Sequence, residues 1–410
     1  MIADALTRFR DAAITRLITG GVLTDPAWRE GMRDLPRDEF VTDFYMPTHT
    51  ADGSPDWLRV GPATAPPPSG GRVISGPDWL RSVHGDDSLV VALSGLDTSG
   101  RQQPVSLAPP PAAIISMLQI LAPRPGHRVL ELGTGVGWTT ALLAHRVGEH
   151  SVTSVEIDPE LHDHAAARLR AAGQQPGLVL GGSAEHADPR RYDRVLVSHH
   201  VDHVPPAWVT LVRPGGHLLL GLRGSLGAGR HALLHRNFNP ATGTAELTGT
   251  FLDWTTPLPA YRRPARFRPP RRPLDPLPGP VRVASTALLV DQLTANTPLA
   301  LLCQVHLPPG TTHAVRADAT GGHSSYLASL DGSWAEIDYT INRGGRHGVR
   351  WAGVTNLPRL IDIAVEVHHD LGAPRWADLG LTAGAHGTRL WHRPSGTSWP
   401  LPAATHNSAP

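Results

Sequence analysis

Two carboxylates and three glycines, set close together in one stretch, are the residues of this chain best placed to do chemistry. Residues 129–158 read VLELGTGVGWTTALLAHRVGEHSVTSVEID. Gly133, Gly135 and Gly137 occupy alternate positions, Glu131 stands just before them, and Glu156 comes about twenty residues later. Glycine lets the backbone approach a ligand closely, and a helix opening after such a turn offers free amides. An acid ending the next strand suits a two-point grip on ribose hydroxyls. These types at this spacing point to a nucleotide site.

The elements that must position them can be read around the turn. Val129–Leu132 has the character of a buried parallel strand, Thr139–Val147 that of a helix, and Ser151–Val155 that of a second strand ending in Glu156. That is a βαβ unit. The dinucleotide pattern GxGxxG would need a third glycine where Trp138 stands, and bulk there argues against a tightly seated pyrophosphate. Glu131 would repel phosphate but favour the ammonium or sulfonium of S-adenosylmethionine. A methyl donor is therefore the expected cofactor. Its candidate residues are Glu131, Gly133, Thr134, Gly135, Gly137, Glu156 and Ile157, joined after the third strand by Gly182 and Ser183. No metal is expected.

At 410 residues the chain is long enough for two or three domains, and its 40% hydrophobic content suffices for true cores. The balance of 37 basic and 36 acidic residues gives no general attraction to nucleic acid or to a membrane. Every basic residue is Arg, which with abundant Ala, Gly and Pro suggests GC-rich coding. A single cysteine, Cys303, excludes a disulfide framework or a cysteine-rich metal site and fits a reducing cytoplasm. No apolar run reaches membrane-spanning length, and the amphipathic, charged start IADALTRFRDAAITRLI is unlike a signal peptide.

Ahead of the nucleotide unit, residues 2–19 read as a helix with one buried stripe, and Asp25-Pro26 opens another, with Asp as cap and Pro in the first turn. Residues 47–78 and 96–111 read as loops, and Ala112–Leu121 as an apolar helix. After Glu156 come a helix over Leu161–Ala172, strands at Leu178–Leu180 and Tyr192–Ser198, a short helix from Val204, a turn at Arg213–Gly216 and a strand at His217–Leu222. The alternation predicts an α/β, doubly wound parallel sheet whose ligand cleft lies beyond the strand ends. Residues 255–280, rich in Pro and Arg, read as a linker. Beyond it, strands are expected at Thr286–Leu289, Ala300–His306 and Ser333–Tyr339, a hairpin turn at Asp331-Gly332, a helix over Asn356–Leu371, and closing strands at Leu379–Leu381 and Thr388–Trp391. The expected division is 1–111 (cap), 112–254 (donor-binding core), 255–280 (linker), 281–402 (α+β module) and 403–410 (tail).

Four separated stretches resemble protein-L-isoaspartate O-methyltransferases, in that family's order. VLELGTGVGWTTALLA resembles its nucleotide loop, LPRDEFV with a later Tyr its N-terminal segment, YDRVLVS its fourth strand, and VPPAWVTLVRPGG the helix and turn after that strand. The resemblance covers residues 20–225. It implies a Rossmann-like class I methyltransferase sheet and methyl transfer to a side-chain carboxylate. Asp331–Trp334, Leu379–Leu381 and Ser398–Pro402 further resemble a subgroup encoded beside peptide-maturation enzymes of the ATP-grasp type. That resemblance implies methylation of an aspartate in a ribosomally made, modified peptide, and then loss of methanol to give an aspartimide. It also implies a peptide-binding C-terminal module and a maturation enzyme as partner. No nucleic-acid or membrane partner is expected.

Two positions depart from the family. Repair enzymes carry Ser or Thr two residues before a proline just upstream of the Ala112–Leu121 helix; Pro109 stands there, with Ser106 the nearest hydroxyl. The family's acid after the third strand is replaced by Leu180-Gly181-Gly182-Ser183, with Glu185 later. A carboxylate is already ionised at neutral pH, so an enzyme that methylates it needs alignment and exclusion of water rather than a strong base. Ser106, His199 and His200 are the candidates to hold the acceptor, although consecutive histidines on an extended strand face opposite sides. Arg262, Arg263, Arg266, Arg268, Arg271 and Arg272 could grip an acidic peptide or form a solvated linker. Isoaspartate repair and a non-catalytic peptide-binding scaffold are the rival readings.

Overall fold

The computed structural model describes residues 2–50, 53–62, 76–96, 100–182, 192–253, 280–286, 288, 292, 295–317, 323–341 and 345–401. Ser183, Glu185, the Arg-rich stretch with its six candidate arginines, and the tail all lie outside the described residues. The described residues form two compact units, 2–199 with 211–219, and 200–210 with 220–253 and those from 280 onward.

The first unit opens with helices α1 (Ile2–Thr19) and α2 (Pro26–Asp34). Asp25 caps α2 by accepting from the Ala27 amide at 2.9 Å, and Pro26 takes the first turn, where a missing N–H costs nothing. A single 3-10 turn, Arg37–Glu39, comes next. It leads to strands β1 (Phe44–His49) and β2 (Pro55–Val60), helix α3 (Gly76–Val83), and strands β3 (Leu89–Leu93) and β4 (Pro104–Ala108). The strands make an antiparallel sheet in the order β2-β1-β3-β4. The loops expected over 47–78 and 96–111 thus hold strands. Their signal was masked by proline, yet Pro55 and Pro104 each begin a strand, where proline is tolerated. Phe44, Val60, Trp79, Leu80, Val83, Leu89 and Ala108 bury a common core beneath this sheet.

Helix α4 (Pro111–Leu121) leads into β5 (Val129–Leu132), α5 (Trp138–Val147), β6 (Val152–Glu156), α6 (Pro159–Ala171), β7 (Gly177–Leu180), β8 (Tyr192–Val201), α7 (Pro206–Leu211) and β9 (Val212–Leu222). The order is β9-β8-β5-β6-β7, and β5 pairs in parallel with both β6 and β8. This is the α/β, doubly wound Rossmann-like sheet expected from the alternation. Strand order reverses at β5, and the crevice past the carboxyl ends at such a switch point is where open α/β sheets bind ligands. The residues expected as a turn at 213–216 belong to β9 itself.

The second unit continues with a hairpin, β10 (His231–Asn239) and β11 (Thr244–Phe251). Beyond it stands a five-stranded antiparallel sheet, built from β12 (Arg282–Thr286), β13 (Thr312–Ala317), β14 (His323–Ala328), β15 (Trp334–Ile341) and β16 (His347–Ala352). Strands β17 (Leu379–Gly384), β18 (Gly387–His392) and β19 (Ser398–Leu401) add to β11 in sequence. Ala300–His306, expected as a strand, lies in a helix, Pro298–His306. Thr297 caps it by accepting from the Ala300 amide at 3.2 Å, and Pro298 opens its first turn. Leu299 to Cys303 are all buried, and a short apolar run carries no period that separates strand from buried helix. A second helix, Leu357–Asp370, falls where its amphipathic pattern indicates. Among the described residues no helix is long and apolar enough to cross a membrane.

Candidate functional site

The turn between β5 and α5 and the end of β6 form one hydrogen-bonded body. The Gly135 amide donates to Glu156 Oε2 at 2.8 Å, while Oε1 accepts from the Ile157 and Asp158 amides at 3.0 Å each. The Thr134 hydroxyl bonds Ser154 at 2.7 Å. Gly135 has φ +55°, and a Cβ built there would meet no protein atom within 4 Å. A Cβ on Gly133 would sit 3.2 Å from His199 Nδ1, a nitrogen that donates to the Leu132 carbonyl at 3.1 Å.

In front of this body lies a cavity of about 880 Å³, counting its mouth. Gly133, Thr134, Gly135, Glu156, Ile157 and Gly181 line it on the donor side. Residues 105–109 supply another wall, Ser198 and His199 line it from β8, and Trp138 and Arg37 are also in the lining. Ser106, 5% exposed, is on β4 opposite Ala92, and the register of β3 and β4 slips on both sides of that pair. Such bulges re-aim side chains beside functional sites.

Four of the described candidates, Gly137, Gly182, His200 and Glu131, do not line the cavity. Gly137 caps α5 with φ +90°, and a Cβ there would touch Ala165 at 3.4 Å, so its backbone angle is what calls for glycine. Gly182 is not among the lining residues, its neighbour Gly181 being the one that is. His200, on the other side of β8 from His199, packs on Gly221 and lies 5.8 Å, ring to ring, from His231.

Glu131 differs most from expectation. It is wholly buried beneath the turn and does not reach the cavity. Its Oε2 accepts from Thr140 at 2.5 Å and Ser154 at 2.9 Å, and Oε1 from Ser198 at 3.2 Å. Burial pushes its pKa up to about 7 against the pull of these hydroxyls. Its role is to brace the turn from below rather than to face a ligand.

Arg37 is the residue that sequence reasoning missed. Only 2% exposed, it lines the cavity and donates to the carbonyls of Val83, Ala108 (3.1 Å) and Pro109 (2.8 Å). Its guanidinium lies 5.9 Å from the Trp138 ring, and the Trp138 indole N–H donates to the Leu35 carbonyl at 2.8 Å. Adjacent acids at Asp38 and Glu39 give it the look of a surface ion pair in the sequence. Asp38 instead accepts from Arg10 at 2.8 and 2.6 Å and meets His84 at 2.9 Å, while Glu39 accepts from Arg10 at 3.2 Å.

The residues fit S-adenosylmethionine. Glu156 lines the cavity with a carboxylate, the group that suits a pair of ribose hydroxyls, and a Cβ on Gly135 would meet open space on the same side.

Comparison with known proteins agrees with that fit. The family model described as Protein-L-isoaspartate(D-aspartate) O-methyltransferase matches residues 99–234. The protein-L-isoaspartate O-methyltransferase of Methylorubrum extorquens is 31% identical over 219 residues, 53% of this chain and 74% of that protein. That of Methanopyrus kandleri is 38% identical over 125 residues, 30% of this chain and 54% of its own length. That of Pyrococcus horikoshii is 36% identical over 112 residues, 27% of this chain and 50% of its own. The chain thus spans about half the length of several curated relatives it matches. A solved protein-L-isoaspartate O-methyltransferase aligns over 93% of this chain and 98% of its own, with 18% identity and a TM-score of 0.49. With the glycine turn, Glu156 and the cavity in place, and with three quarters of the Methylorubrum protein matched, the chain belongs to the protein-L-isoaspartate O-methyltransferase family.

Proposed function

We propose that this chain is an S-adenosylmethionine-dependent carboxyl O-methyltransferase that esterifies an aspartate side chain in a ribosomally made, modified peptide. The observation that carries the methyl-transfer reading is the cavity itself. It joins a donor-type turn and Glu156 to a facing wall that holds Ser106 and a buried arginine. The finer substrate assignment is supported by Pro109 at the position of the repair enzymes' hydroxyl, and by the C-terminal motifs.

When bound, the donor supplies an electrophilic methyl group. An acceptor carboxylate oxygen forms the new O–CH₃ bond as the S–CH₃ bond breaks and its electron pair stays on sulfur. The charges of carboxylate and sulfonium cancel, so no proton moves. The chain's own residues therefore bind, orient and exclude water. Ser106 can donate a hydrogen bond to the acceptor, and the His199 ring is held in one orientation by Leu132. The methyl ester is then a good acyl electrophile. The next backbone amide attacks it, its proton leaves with methoxide as methanol, and an aspartimide remains. That closure needs no side chain. The partners implied by this chemistry are the peptide and the enzyme that matures it.

Repair of isoaspartate is the second reading, favoured by the family and by the Ser106 hydroxyl in the cavity wall. The test presents an isoaspartyl peptide, the linear precursor encoded nearest the gene, and the matured precursor. Peptide maturation predicts a methyl gain, then a methanol loss, on the matured form. Methylation of the isoaspartyl peptide alone overturns it in favour of repair. A chain that binds no donor by calorimetry is a scaffold.

A further inference from the structure

We propose that Arg37 is the fixed counter-charge for a carboxylate bound in this cavity. A guanidinium taken out of water is costly unless its charge is answered. Three backbone carbonyls take its hydrogen bonds, but carbonyl dipoles do not neutralise it, and among the described residues no acid pairs with it. The two acids beside it in sequence are committed elsewhere, to Arg10 and His84. Burial pulls its pKa down to about 9, which leaves it charged at neutral pH. The cation is thus held rigidly in the wall of a pocket built for ligands, beside the carbonyls of Ala108 and Pro109 and away from any anion of its own. A purely structural clamp would need no place in that wall.

The complementary ligand group is a carboxylate, for which a planar guanidinium is the matching fork. Two carboxylates come from the methyl-transfer reading on which this inference rests: the amino-acid end of the donor and the side chain of the acceptor. Either would meet Arg37 on the wall that carries Ser106, opposite the acid that suits ribose.

The test measures binding rather than turnover alone. Wild type, R37K and R37M are titrated calorimetrically with S-adenosylhomocysteine and with 5′-methylthioadenosine, which lacks the amino-acid end. KM is then measured for the aspartyl acceptor. If the donor's carboxylate is the partner, R37M weakens S-adenosylhomocysteine on the order of 30-fold and leaves methylthioadenosine unchanged. If the acceptor's is, both nucleosides bind as before and KM rises by a similar factor. R37K should recover part of either loss, because it keeps the charge. Unchanged values on both arms, or equal loss for both nucleosides, overturn the proposal. Should R37M fail to fold, wild type alone decides: equal affinity for S-adenosylhomocysteine and its carboxyl methyl ester, together with equal affinity for aspartyl and asparaginyl peptides, rules out a carboxylate site. Failure of wild type to bind either nucleoside would instead count against the methyl-donor reading.

Discussion

Replacing Glu131 by Gln should stabilise the first unit at alkaline pH and do progressively less as pH falls. Glu131 is fully buried, and its pKa is pushed from the ordinary 4.5 to about 7. The folded state therefore keeps its proton over a range where the unfolded chain has lost it. Where the folded state binds more protons, stability falls as pH rises, so the loss begins near 4.5 and is complete above 7. Each unit of displacement corresponds to about 1.4 kcal/mol, so roughly 2 kcal/mol should be lost between pH 5.5 and 8. Gln is nearly isosteric, its amide oxygen can accept from Thr140 and Ser154 while its NH2 donates to the Ser198 hydroxyl, and it carries no such dependence. Urea unfolding of both proteins across that range, read on the transition of the first unit, measures the difference directly. The gap between E131Q and wild type should widen by about 2 kcal/mol from acid to alkaline. Parallel curves would refute a buried carboxyl that holds its proton in this way.

Glu156→Ala should weaken S-adenosylhomocysteine by about 1.5–3 kcal/mol, the scale for losing hydrogen bonds to a charged group, and calorimetry on the folded variant measures it. Unchanged affinity would remove Glu156 from the donor site. Gly135→Ala should cost the fold only about 1–2 kcal/mol for its left-handed backbone while sharply weakening donor binding, a split seen by pairing thermal melts with titration. Asp38→Asn should destabilise the first unit by about 2 kcal/mol at pH 7. Burial alone would raise the Asp38 pKa, but hydrogen bonds from His84 and Arg10 outweigh it and hold the pKa at about 2. That contribution is present above 3.8 and disappears as pH falls toward 2, so the two unfolding curves should converge there.

What could be read in the sequence depended on how local its cause is. The glycine turn, β5, β6 and Glu156 are contiguous, and their period and spacing carry the whole βαβ geometry. Glu131 was located correctly on its strand but assigned the wrong environment. Four residues buried on both faces have no alternation to say whether a carboxylate points up to the cavity or down to Thr140 and Ser154. Arg37 was hidden for a different reason. Its carbonyl partners lie 46 to 72 residues away, so only the folded chain reveals them. The antiparallel strands around Ser106 were obscured by prolines that happen to begin strands.

Gly135 also bears on how this molecule could drift. Nothing in the protein occupies the space a side chain there would fill, so the fold exacts little for its replacement beyond the backbone angle. Gly137 is different: its φ of +90° lies beyond the narrow left-handed region that side chains tolerate, and a Cβ there would touch Ala165, whether or not a ligand is present. A lineage that kept this architecture but abandoned its ligand would be expected to lose the glycine at 135 early and the one at 137 late. Selection on binding and selection on folding thus act on residues two positions apart, and their substitutions would record which of the two had been relaxed.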